Sequence, residues 1–96
     1  MLVKDKDLDN AFEQAVSLVS KHSEPFPADV LLKLYAYYKM ATRDHELPQG
    51  SHPLIDAFKT NALFQARDLS QQEAKLKYIE TAKTYFIYRN DKGMRP

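Results

Sequence analysis

The chain has 96 residues, 44% of them hydrophobic, and no cysteine; that is enough to bury a modest core, and it excludes a second domain, a disulfide framework, thiol catalysis and the usual cysteine zinc sites. Fourteen Lys and Arg against thirteen Asp and Glu leave a formal charge of +1, without the basic excess of a protein that neutralises many phosphates along a nucleic acid. The opening "MLVKDKDLDNAF" holds no signal-like apolar run, and no stretch approaches the roughly eighteen apolar residues of a membrane span, so the reading is a soluble, unprocessed, cytoplasmic chain.

Only Gly50 and Gly93 are glycines, whereas Ala, Leu, Lys, Glu and Gln are plentiful, which favours helices over tight turns and predicts an all-α fold. The first predicted helix spans 9–22, with Asp7, Asp9 and Asn10 as candidate caps and Phe12, Ala15, Val16 and Val19 as a stripe at helical spacing. "SEPFP" breaks it. A second helix, 27–43, starts at Pro27, whose fixed φ suits a first helical position, and carries Val30, Leu31, Leu34, Tyr35, Tyr38 and Ala41 on one broad face. The segment "DHELPQGSHP" lacks helical period and reads as the longest loop.

The third predicted helix, 54–67, shows an apolar side of Leu54, Ile55, Phe58, Ala62 and Ala66. The fourth, 70–88, starts with "SQQE", a capping box in which Ser70 and Glu73 satisfy each other's backbone donors, and carries Ala74, Tyr78, Ala82 and Tyr85 along a stripe. Residues 89–96 read as a frayed polar tail. The picture is a single four-helix domain, a form that says nothing by itself about activity.

The stretch "LLKLYAYYKMATRD" is where chemistry concentrates. Residues three and four apart share a helix face, so Tyr35, Tyr38 and Lys39 are neighbours, while Tyr37 faces away toward core or surface packing. Rings with hydroxyl edges beside a mobile ammonium suit a ligand with a flat heterocycle and phosphates, such as a nucleotide. The ordinary alternative is that the tyrosines are core bodies with wet tips and the lysine snorkels to water. Lys59 after Phe58, and Tyr78 on the fourth helix, are residues of the same chemical types on separate elements.

From about Asp9 to Tyr85 the order of residues resembles the acyl-CoA-binding protein family. The resemblance is carried by "FEQA" at Phe12, by "LYAYYKMAT" at Leu34 to Thr42, similar to the family's Y-x-x-Y-K-x-A-T, by Lys59, and by "SQQEAKLKYI" at Ser70 to Ile79, similar to S-x-x-x-A-x-x-x-Y-I. It implies a four-helix bundle of that type that binds medium- to long-chain fatty acyl-CoA, with Tyr35 and Tyr38 bordering the adenine and ribose phosphate. It further implies that Lys39 and Lys59 pair with the 3′-phosphate and that Tyr78 closes the site from the fourth helix. Met40 and Phe64 receive no such role.

For the acyl chain the candidates are Leu31, Leu32, Leu54 and Phe58, residues that read equally well as ordinary core. At about 0.8 kcal/mol per buried methylene, a sixteen-carbon chain is worth on the order of 10 kcal/mol before binding costs. The sequence also departs from the family's pattern. It has no tryptophan, where the family usually places two early in the third helix; Thr60 follows Lys59 and Leu63 takes the second place. Ser20 stands where many members carry a basic residue, with Lys21 beside it, and the loop before the third helix is about two residues shorter.

The expectation is therefore a monomeric carrier without catalytic activity or cofactor, which buffers and delivers acyl-CoA to enzymes that use it, with no nucleic acid and no membrane insertion. An enzyme is the first rival: His22, His45 and His52 lack i,i+4 pairing and a carboxylate scaffold for a metal, and Ser51, His52 and Asp56 lack an identifiable oxyanion site. The alternative is a helical protein-interaction module using the tyrosine-rich face of the second helix, which leaves Lys39, Lys59 and Tyr78 without a purpose. A helix-turn-helix DNA binder is disfavoured by the near-neutral charge.

Overall fold

A computed structural model describes residues 5–94 apart from 45, 49 and 51. Among the described residues the chain is all helix and loop: α1 (Asp5–Lys21), α2 (Ala28–Ala41), α3 (Pro53–Gln65) and α4 (Gln71–Met94). The molecule is only 20 Å thick against 39 and 37 Å in the other directions, which is two helix diameters, so the helices lie in two layers. The α2 and α4 backbones pack most extensively on each other; α1 packs on α4, and α3 on α2.

The core lies where α1, α2 and α4 meet. Phe12 and Ala15 come from α1, Leu34 and Ala41 from α2, and Ala74, Tyr78 and Ala82 from α4. Small side chains at Ala41, Ala74 and Ala82, none more than 3% exposed, let the helices approach closely. Val16, Val19, Val30, Tyr37, Met40 and Ile79 pack around this centre. The stripes expected on α1 and α4 are therefore the faces that are buried, with Leu8 added at the start of α1.

Local chemistry sets the ends. At α4, Glu73 Oε1 accepts the Ser70 N–H at 2.8 Å and Ser70 Oγ accepts the Glu73 N–H at 3.1 Å, the reciprocal capping box anticipated from "SQQE". Those hydrogen bonds, the backbone one first, hold the Glu73 carboxyl below its usual range. Gln71 donates to the Ala41 carbonyl at 2.9 Å and so satisfies an orphan acceptor at the end of α2. Lys75 and Asp9, 2.5 Å apart, link α4 to α1.

Several expectations are corrected here. Helix α1 begins at Asp5, so Asp7, Asp9 and Asn10 lie within it and cap nothing. Pro27, with φ −55° and ψ 146°, is the residue before α2 rather than its first helical position; that role falls to Pro53 of α3, behind His52. Helix α4 continues to Met94, so residues 89–94 are helical and not a frayed tail. Arg89 on that extension ion-pairs with Glu24, which ties the late turns to the α1–α2 connection. Finally, Leu54, Ile55 and Phe58, expected to form the apolar side of α3, are 67%, 47% and 51% exposed. Only Ala66, at the end of α3, is buried, because α3 lies at the edge and leans its backbone on α2 alone.

Candidate functional site

Helix α2 carries Leu31, Tyr35, Tyr38 and Lys39; Tyr35 meets Lys59 of α3, while α4 brings Tyr78 up from the core. Lys39 Nζ stands 5.7 Å from the centre of the Tyr35 ring, and Lys59 Nζ, arriving from α3, stands 5.2 Å from the same ring. Both separations lie within the range in which an ammonium is attracted to an aromatic quadrupole. Two cations from two helices thus converge on one tyrosine. Lys39 is buried, 7% exposed, and its ammonium ion-pairs with Asp44 Oδ1 at 3.2 Å. Among the described residues Lys59 has no carboxylate partner.

Tyr38 belongs to a second group on the same helix. Its ring stacks on Phe12 of α1 with centroids 6.0 Å apart, and Phe12 meets Tyr78 edge-on at 5.2 Å. Tyr38 and Tyr78 lie 6.2 Å apart. The arrangement is layered. Tyr78 is the buried floor, 3% exposed, and Tyr38 is the outer ring, 41% exposed. Burial, with Tyr38 adding to it, pushes the Tyr78 phenol up to about 12, so it remains a neutral hydroxyl throughout the physiological range.

The structure therefore brings Tyr35, Lys39 and Lys59 together, and pairs Tyr38 of the same helix α2 with Tyr78 of α4. The four residues put forward for an acyl chain are placed differently. Leu31, Leu54 and Phe58 are each more than half exposed and Leu32 is half-buried, so they are not core. Neither of two hollows in the surface includes them. The larger, about 780 Å³, lies between Pro25, Phe26, Pro27 and the α4 residues Thr84, Tyr85 and Tyr88; the smaller, about 230 Å³, lies between Tyr37, Ala62, Gln65 and Lys77.

Two contributors escaped the sequence reading. Phe12 carries Tyr38 and Tyr78, yet in the sequence it stands only as a stripe position of α1 and a part of the family resemblance, not as a support for the tyrosines. Asp44 reaches Lys39 from five residues on, a spacing that no helical neighbour rule covers. Of the histidines, His22 shares a hydrogen bond of 3.0 Å with the Tyr85 hydroxyl and sits among Phe26 and Phe86, a packing role. His52 is exposed ahead of α3, and His45 and Ser51 lie outside the described residues. No group of three His, Asp or Glu suited to a metal occurs among the described residues, and no helix there is long and apolar enough to cross a membrane.

A family model described as acyl CoA binding protein matches residues 9–82, which takes in most of α1, all of α2 and α3, and the first half of α4. Among solved structures, the crystal structure of Oryza sativa acyl-CoA-binding protein 2 superimposes with a TM-score of 0.71 at 24% identity. The likeness covers 93% of this chain and 99% of that one, and it supports the all-α, four-helix architecture.

Proposed function

Because the chain belongs to the acyl-CoA-binding protein family, a match that supports acyl-CoA binding in general, we propose that the α2–α3–α4 face holds the headgroup of a fatty acyl-CoA reversibly. The observation that carries this reading is the convergence of Lys39 and Lys59 on the Tyr35 ring. A nucleotide headgroup needs cations for its phosphates and an aromatic surface for its base, and two ammonium groups offset the lost hydration of phosphate without making the whole protein basic.

In this reading Tyr35 and Tyr38 border the adenine and ribose phosphate, Lys39 and Lys59 hold the 3′-phosphate, and Tyr78 supports Tyr38 from below while offering a neutral hydroxyl. Leu31, Leu32, Leu54 and Phe58 supply apolar surface to the acyl chain. The exposure of Leu31, Leu54 and Phe58 supports this role, since large apolar side chains left in water are available to an apolar ligand. The protein acts by binding and not by catalysis, buffering and delivering medium- to long-chain thioesters in the cytoplasm as a monomer.

The test is calorimetric titration with palmitoyl-CoA, coenzyme A and palmitate in parallel. Palmitoyl-CoA should bind far more tightly than either fragment. Lys59→Ala should weaken it roughly tenfold with a shallower salt dependence and an unchanged melting temperature. Palmitate binding as well as its thioester, or a Lys59→Ala protein with full affinity, would show that the tyrosine–lysine face is packing or a protein interface.

A further inference from the structure

Helix α2 does not simply stop. Its last turn closes as a Schellman motif: the Arg43 N–H donates to the Met40 carbonyl at 3.4 Å and the Asp44 N–H to the Lys39 carbonyl at 2.9 Å. Arg43 makes the turn with a φ of 56°, in the left-handed region that glycine usually fills. The motif lays the residue two past the cap against the residue three before it, a contact that is ordinarily apolar. Here those two residues are Asp44 and Lys39, and the contact is an ion pair. Asp44 Oδ1 also accepts the Glu46 N–H at 3.0 Å, which holds the carboxylate in place from the far side.

The two partners differ in setting. The Lys39 side chain is 9% exposed and the Asp44 side chain 45% exposed. A buried ammonium needs a counter-ion, and the backbone turn supplies one from the rim. A phosphate that approaches Lys39 therefore meets a cation already neutralised, with a fixed carboxylate about 3 Å from it. Lys59, by contrast, has no carboxylate among the described residues.

We propose that Asp44 is an internal counter-ion that competes with the ligand's phosphate for Lys39, so that it lowers affinity and sets how strongly the site distinguishes a phosphomonoester from its absence. The proposal rests on the reading of Lys39 as a phosphate partner. It assigns unequal parts to the two lysines: Lys59 offers its full charge to the ligand, and Lys39 only what Asp44 leaves.

Asp44→Asn tests it, because the amide keeps the shape and the acceptor for Glu46 while removing the charge. Wild type, Asp44→Asn and Asp44→Glu are titrated at low and high salt with palmitoyl-CoA and with its analogue lacking the 3′-phosphate, after their melting temperatures have been compared. The expected result is that Asp44→Asn binds palmitoyl-CoA about fivefold more tightly at low salt, the scale of one partly solvated like-charge contact. The gain should shrink at high salt and be absent with the analogue, and Asp44→Glu should stay near wild type. Equal tightening for both ligands, no tightening, or weakening would overturn the proposal. If the wild type binds neither ligand, or both alike, the phosphate reading of Lys39 fails before Asp44 is at issue.

Discussion

Helices α3 and α4 are neighbours in sequence and opposites in setting. Helix α4 is the spine: α1 and α2 both pack on it, and Ala74, Tyr78 and Ala82 run down its buried side. Helix α3 has no buried residue within its span, touches α2 alone with its backbone, and carries Leu54, Ile55, Phe58 and Phe64 about half exposed or more. Apolar residues on a helix thus do two kinds of work here. On α4 they hold the fold; on α3 they leave a greasy surface beside Lys59.

The comparison breaks first if stability does not divide along that line. Leu34, 3% exposed and facing α4 from α2, is expected to cost about 3 kcal/mol when cut to alanine, read from the urea midpoint. A much smaller cost would mean that the α2–α4 contact is not the centre of the core. Next in size is an alkaline effect of Tyr78. Its phenol is raised from 10 to about 12 in the folded chain, so its contribution is complete below pH 10 and is lost as pH rises from 10 through 12. Unfolding releases its proton over that window, and the loss is on the order of 2 kcal/mol. Tyr78→Phe should flatten that limb of a stability–pH profile, and an unchanged limb would place the phenol in contact with water. Smallest is Phe58→Ala, expected to change stability by less than about 0.5 kcal/mol while weakening palmitoyl-CoA binding measurably. A stability cost near that of Leu34→Ala would make α3 part of the core after all.

Much of the spine was legible before any coordinates. Phe12, Ala15, Ala74, Tyr78 and Ala82 repeat at helical spacing, and period alone identifies a buried face when a helix is packed along its length. The capping box was legible because it is local, four residues answering one another. What period cannot reveal is whether a stripe meets a core or faces outward, and so Leu54 and Phe58 read as packing as readily as they read as a ligand surface, and Ile55 as packing alone. Nor could it show the late turns of α4, which are polar and anchored through Arg89 to Glu24 rather than by an apolar face. In the site, Tyr35, Tyr38 and Lys39 follow from i,i+3 and i,i+4 neighbours on one helix. Lys59 needed the family resemblance, because its approach to Tyr35 is tertiary. Asp44 depends on a left-handed Arg43, and nothing in that residue's identity announces such a turn.

The tyrosines have a spectroscopic consequence as well. The chain has six tyrosines and no tryptophan. Where tryptophan is present it collects excitation from nearby tyrosines and dominates the emission; here the near-ultraviolet fluorescence is the tyrosines' own. Tyr35, Tyr38 and Tyr78 are half of that set and all stand in the candidate site, two of them 6.2 Å apart. The protein's intrinsic light therefore originates in large part where the ligand is proposed to sit, and a single tryptophan introduced on α3 would act as the sole acceptor for that excitation, on the helix least engaged with the core.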